Sequence, residues 1–233
     1  MIEFGHGTHV GLRRTRNEDT YYADPDLGLF LVADGMGGHQ HGEVAAALAR
    51  DAVVEQVRRG QSLLDAVRIA AEQLEQHAGG RHEALPMGTT LAALHLHEGV
   101  YDVAWVGDSR IYRLADQFEL VSHDHSLVQE LVNAGRLDPE LASRHPQRNV
   151  LTQALGITAA EQLHVGVAGG RQCPGNAFLL CTDGLTDGLE TSSLAGTVQR
   201  TDLAAQECVD HLLLDGLEAG GNDNLTAILI RLR

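Results

Sequence analysis

The sequence predicts an α+β fold in which a sandwich of β-sheets is flanked by helices. Two observations predict it. Candidate elements run in the order strands, two helices, a run of strands, helix, strand, helix, strand, so the helices are segregated and do not alternate with strands as in βαβ units. The composition, 43% hydrophobic and 21% charged over 233 residues, is that of a chain able to bury a sizeable core. With 5 Pro and neither a Ser/Gly-rich linker nor a repeat, nothing divides it, and a single domain over residues 1–233 is expected.

The elements follow in order. Leu27 to Ala33 is a continuous apolar run, the pattern of a buried strand, and it meets Asp34-Gly35. Glu43 to Arg59 is Ala-rich with apolar residues at helical spacing, and Ser62 to His77 repeats that character after the break at Gly60. From Gly88 onward the runs shorten and become β-rich: Thr89 to His97, Val100 to Gly107, Arg110 to Leu114 and Phe118 to Val121. Turns at Glu98-Gly99, Asp108-Ser109 and Asp116-Gln117 make this an expected antiparallel meander. Ser126 to Ser143 is polar and helical. Ala177 to Cys181 and Leu225 to Leu232 read as two more buried strands, with a helix from Asp202 to Leu214 between them.

Charge narrows the partners. Lys+Arg 17 against Asp+Glu 32 leaves a net charge of −15, which disfavours nucleic acid or an anionic membrane and directs attention to cation-binding acids. Three cysteines without Cys-x-x-Cys spacing indicate neither a disulfide framework nor a thiolate zinc site, as fits a reducing cytoplasm. Met1 to His6 lacks the basic and apolar segments of a leader, and no run of about 18 apolar residues occurs, so neither export nor membrane anchoring is expected.

Carboxylates recur at the ends of the expected strands: Asp34, Asp108, Asp183 and Asp223. Converging on one rim, they would repel one another unless a cation neutralised them, and hard oxygen ligands favour magnesium, manganese or calcium over zinc. Taken singly, each Asp-Gly is more often a turn than a ligand. Asp215-Gly216 illustrates this, reading as a simple helix stop. One of the two arginines in Arg14-Thr15-Arg16-Asn17-Glu18-Asp19 could grip a phosphate through two parallel hydrogen bonds, or the stretch could be a solvated charged turn.

Eight blocks in series carry a resemblance. They are Arg14-x-x-Asn17-Glu18-Asp19; Leu31 through Asp34-Gly35-Met36-Gly37-Gly38-His39; Gly88-Thr89-Thr90; Val106-Gly107-Asp108-Ser109-Arg110; His123-Asp124-His125-Ser126-Leu127-Val128; Arg148-Asn149 through Gly156; Leu180-Cys181-Thr182-Asp183-Gly184-Leu185-Thr186-Asp187; and Asp223-Asn224-Leu225-Thr226. In this order, over about residues 4 to 232, the chain resembles the metal-dependent protein phosphatases of the protein phosphatase 2C family.

The resemblance implies a four-layer αββα sandwich, two antiparallel β-sheets flanked by helices, as a single phosphatase catalytic domain over 1–233. It also implies a core site holding two manganese or magnesium ions. Asp34, Asp183 and Asp223 resemble its carboxylate ligands and Gly35 a ligand through its carbonyl, while Asp108 and Asp187 match positions that help bind a third, weaker ion in bacterial members. Arg14 stands where the family binds the substrate phosphate. Asp19, with Glu18 beside it, matches the acidic position that orients water at the metals, and residues 124–156 correspond to a flap beside the site. Some family members carry His directly after the Asp-Gly pair as a proton donor to the leaving oxygen. This chain has Met36 there, so either His39 substitutes, or water protonates the leaving group, or the step contributes less.

The implied function is hydrolysis of phosphoserine and phosphothreonine on cytoplasmic phosphoproteins, in signalling that opposes a serine/threonine kinase. Two alternatives are a non-catalytic phosphoprotein-binding module on the same fold and a two-metal hydrolase of small phosphate esters. Of the 13 histidines, the closely spaced pair His95 and His97 invites a zinc reading, but the sequence supplies no third ligand at suitable spacing.

Overall fold

The computed structural model describes residues 1–37, 41–79 and 87–233. Two antiparallel sheets face each other. The first contains β1 (Ile2–His9), β7 (Arg110–Leu114), β8 (Phe118–Leu120), β10 (Ala177–Cys181) and β11 (Leu225–Leu232), in the order β1-β11-β10-β7-β8. The second contains β2 (Asp19–Asp24), β3 (Leu29–Gly37), β5 (Leu91–His97), β6 (Val100–Val106) and β9 (Gly166–Arg171), in the order β2-β3-β5-β6-β9, with the short β4 (Met87–Thr89) paired to the end of β3.

Phe30, Val32, Leu94 and Trp105 from one sheet interdigitate with Phe178, Leu180, Ile228 and Ile230 from the other. Fully burying each of the larger of these side chains is worth roughly 1.5–3 kcal/mol. The opposite side of the second sheet (Leu29, Leu31, Leu91, Ala93) is covered by α1 (His41–Arg58) and α2 (Leu63–Gly79). The outer side of the first sheet (Leu179, Cys181, Ala227, Leu229) is covered by α6 (Thr191–Val198) and α7 (Ala205–Glu218). All eight residues of β11 are buried, and six of them are apolar because both faces of the strand are covered; Thr226 and Arg231 are the two polar exceptions.

Local signals set the element ends. Ser62 Oγ accepts from Asp65 N at 3.1 Å and donates to Asp65 Oδ2 at 2.6 Å, starting α2. The flap region holds α3 (Leu127–Asn133), whose first turn is capped by Ser126, and the one-turn α4 (Pro139–Ala142), which begins with Pro after the cap Asp138.

Four expectations change. The strand from Leu29 runs on through Asp34-Gly35 to Gly37, because Gly35 pairs with Thr89 of β4; this Asp-Gly is strand, not turn. The expected meander is split: β5 and β6 pair in one sheet, β7 and β8 in the other, and Gly107-Asp108-Ser109 carries the chain between them. Asp183-Gly184 opens a one-turn helix, α5 (Asp183–Thr186). Asp215-Gly216 does not stop α7, which continues to Glu218 because Gly216 is buried against Leu225. Two elements lie outside those expected from the sequence: β9 (GVAGGR), whose glycines carry no strand preference, and α6. No described helix is long and apolar enough to cross a membrane.

Candidate functional site

One end of the sandwich gathers the carboxylates. Asp19 opens β2 and pairs across the ladder with Asp34 of β3. Asp108 lies on the crossover between sheets, Asp183 at the end of β10, and Asp223 just before β11. A cavity of about 540 Å³ is lined by Asp34, Asp108, Asp183 and Asp223, with Arg14 and Glu18 at its rim.

The backbone of Asp34 is clamped by the Gly88-Thr89-Thr90 block. Asp34 N donates to Thr90 Oγ1 at 3.0 Å, and Thr89 Oγ1 donates to the Asp34 carbonyl at 2.8 Å. Gly35 must be glycine, because a Cβ there would run into the carbonyls of Gly42 and Glu18. Asp19 faces across the sandwich, where its Oδ2 accepts from Thr182 Oγ1 at 2.8 Å and Thr226 Oγ1 at 2.7 Å. Asn224 pins the loop that bears Arg14: its Nδ2 donates to the carbonyls of Val10 and Arg16, and its Oδ1 accepts from Glu18 N at 2.8 Å. Thr90, Thr182, Asn224 and Thr226 carry no pattern of their own in the sequence that announces these contacts. Their only signal was adjacency to the acidic positions within the blocks.

This acidic floor is electrostatically unbalanced. Removal from water raises the pKa of Asp19, Asp34, Asp108 and Asp183 above the usual carboxylate range, and their mutual repulsion adds to it. Burial likewise raises Glu18, opposed by Arg14 and Arg16. Among the described residues, Asp19 Oδ1 and Asp183 Oδ1 are buried and find no hydrogen-bond partner. Carboxylate oxygens left unpaired amid like charges are what hard divalent cations satisfy, so the donor set fits such ions. Among the described residues no three His, Cys, Asp or Glu side chains already stand as a formed cage. Asp223 is turned to Arg14 Nη2 at 2.7 Å and Asp19 to its two threonines.

Asp187 sits apart from the main cavity. It is exposed, lies 3.6 Å from Arg148 Nη2, and lines with Asp108 and Asp183 an adjoining cavity of about 280 Å³ under α3 and α4. A bidentate ion pair from Arg110 to Asp124, closest at 2.7 Å, ties the crossover strand to the segment leading into α3. His95 and His97 share one face of β5 with ring centroids 4.6 Å apart, and His97 Nε2 meets Asp102 Oδ2 at 2.7 Å. His39 lies outside the described residues.

Comparison with known proteins gives the arrangement a context. A family profile described as Protein phosphatase 2C matches residues 7–213. The protein phosphatase PhpP of Streptococcus pneumoniae is 34% identical over 235 residues, covering 96% of this chain and 94% of that protein. The crystal structure of the Mycobacterium tuberculosis serine/threonine phosphatase PstP/Ppp superposes with a TM-score of 0.91 at 31% identity, covering 100% of this chain and 99% of that one. The catalytic domain of a serine/threonine protein phosphatase PstP, solved in complex with 2 manganese ions, superposes with a TM-score of 0.86 at 29% identity over 99% of this chain and 97% of that one.

Proposed function

This chain belongs to the protein phosphatase 2C family and is a metal-dependent hydrolase of phosphoserine and phosphothreonine on proteins; on that premise we propose which of its residues carry the reaction. Asp34, Asp183 and Asp223, with the carbonyl of Gly35, hold two manganese or magnesium ions, and Asp108 with Asp187 holds a third, weaker one. The observation that carries the assignment is the convergence of Asp34, Asp183 and Asp223 on one cavity, where a buried oxygen of Asp183 finds no hydrogen-bond partner among the described residues. For the third ion, the support is that Asp108 and Asp187 line one adjoining cavity together with Asp183.

Bound there, divalent cations neutralise the floor and make water a nucleophile at neutral pH. The protein does the positioning. Asp19, held through one oxygen by Thr182 and Thr226, presents the other to orient and accept a proton from the attacking water, with Glu18 at the rim as a second acceptor. Arg14 leaves Asp223 to take the substrate phosphate in a planar, two-pronged grip, keeping its partner class while changing partner. His39 is assigned as proton donor to the leaving alkoxide on its sequence position alone.

Residues 1–233 form one catalytic domain, a reading supported by the pairing of the first strand with the last along its whole length. The partners are phosphoproteins and an opposing serine/threonine kinase in a cytoplasmic signalling pathway. The charge of −15 weighs against nucleic acid and anionic membranes. Hydrolysis of a phosphothreonine peptide with manganese, abolished by EDTA, is the test; peptide binding without turnover would leave a binding module instead.

A further inference from the structure

Beyond the carboxylates, the main cavity has one wall of a different kind. Residues 149–160 are twelve consecutive uncharged residues in a chain that is 21% charged, and the segment lines the same cavity as Asp34 and Asp183 with polar Thr152, Gln153 and Thr158 beside apolar Ala154 and Ile157, which Met36 joins. Ile157 is 50% exposed, yet it is not on a loose loop. Leu155 and Thr89 exchange two backbone hydrogen bonds at 3.0 Å, Ala154 O accepts from Thr158 N at 2.9 Å, and Ala154 N donates to Thr158 Oγ1 at 3.1 Å. Beneath it, Gly88 makes room: a Cβ there would lie 2.5 Å from Ile157 Cγ1. Gly88 pairs with Met36, the residue after Gly35. With strands about 4.8 Å apart and residues about 3.4 Å apart along a strand, Ile157 stands roughly one or two peptide residues from the Gly35 carbonyl.

We propose that Met36, Ala154 and Ile157 form an aliphatic shelf that receives a Leu, Ile, Val or Met side chain of the substrate within two positions of the phosphoserine or phosphothreonine. This rests on the phosphatase reading and adds a substrate class to it. The shelf is continuous with the catalytic cavity and is held rigidly, so an apolar side chain gains burial without having to order its receptor. A charged side chain laid against Met36, Ala154 and Ile157 would lose water and gain no ion pair from those three side chains.

The test is a set of phosphothreonine peptides with Leu, Gly, Glu or Lys substituted at each of the two positions on either side, assayed with manganese beside p-nitrophenyl phosphate. At one position Leu is expected to exceed Gly in kcat/KM by roughly tenfold, within the range for apolar pockets, with Glu lower still. Ile157→Ser should bring the Leu-to-Gly ratio close to one, Ile157→Val should keep it, and Ile157→Lys should turn the preference toward Glu. Each ratio is taken within one variant, so a smaller folded fraction cancels. Less than twofold discrimination by the parent protein at every position while all substrates turn over, or a ratio unchanged in Ile157→Ser, overturns the shelf and leaves the phosphatase reading standing. A parent protein that turns over neither peptide nor p-nitrophenyl phosphate overturns both.

Discussion

Arg14 Nη2 donates to Asp223 Oδ2 at 2.7 Å, so the arginine assigned to the substrate phosphate here neutralises a carboxylate assigned to the metal. The contact holds the guanidinium pKa up, chiefly through that hydrogen bond. Half of Arg14 remains exposed, so the pair is weak enough to exchange.

Arg14→Ala should therefore lower kcat/KM on phosphopeptides by roughly 1–3 kcal/mol in transition-state terms, the cost of a charge-assisted contact. Manganese affinity in the absence of substrate should be equal or tighter, because Asp223 is freed. Titration calorimetry reads both, and parallel losses of manganese binding and activity would make Arg14 part of the site's scaffold.

Asp34→Asn and Asp183→Asn should each abolish metal-dependent hydrolysis while preserving the fold. Each removes one charge from a crowded acidic floor, so the metal-free variants should melt about 2–4 °C higher than the parent for each kcal/mol of relieved repulsion. Turnover within tenfold of the parent at saturating manganese would refute the assignment.

Asp108→Asn tests the division between core and peripheral acids. It should retain the two tight manganese ions and lose activity most clearly at low manganese. Loss of all manganese binding would move Asp108 into the core set.

The same burial fixes a pH dependence. Burial among like charges pushes Asp183, Asp19 and Asp108 up to about 6, 7 and 8 in the folded protein, from the ordinary aspartate value of 3.8. The folded state thus binds protons that the unfolded state releases, and metal-free stability should fall as pH rises from about 4 to about 8 before levelling. Below that window the paired acids Asp202 and Asp24, whose pKa values are lowered, act in the opposite sense, and within it His125, lowered to about 4 by burial, offsets only part of the fall. Thermal melts with EDTA and with manganese check this: manganese should stabilise most at the high-pH end, and a metal-free stability rising from pH 5 to 8 would contradict the buried-acid account.

Much of this protein was legible in its residues alone. The continuous apolar run of β10 and the mostly apolar run of β11 located both strands to the residue, because a strand covered on both faces leaves a local mark in the sequence. Helices α1 and α2 were legible for the same kind of reason, their apolar spacing being set by the sheet they cover. The acidic positions were legible too, as blocks whose order resembles one family. Tertiary structure alone decided which sheet each strand joins, since β6 and β7 read alike yet diverge at Gly107-Asp108-Ser109. It also decided that Asp34-Gly35 is strand, because its partner Thr89 lies 54 residues away from Gly35. The supporting shell of Thr90, Thr182, Asn224 and Thr226 arises the same way: hydroxyl and amide side chains acquire a function only when the packing of two sheets brings them to a carboxylate or a loop that is remote in sequence.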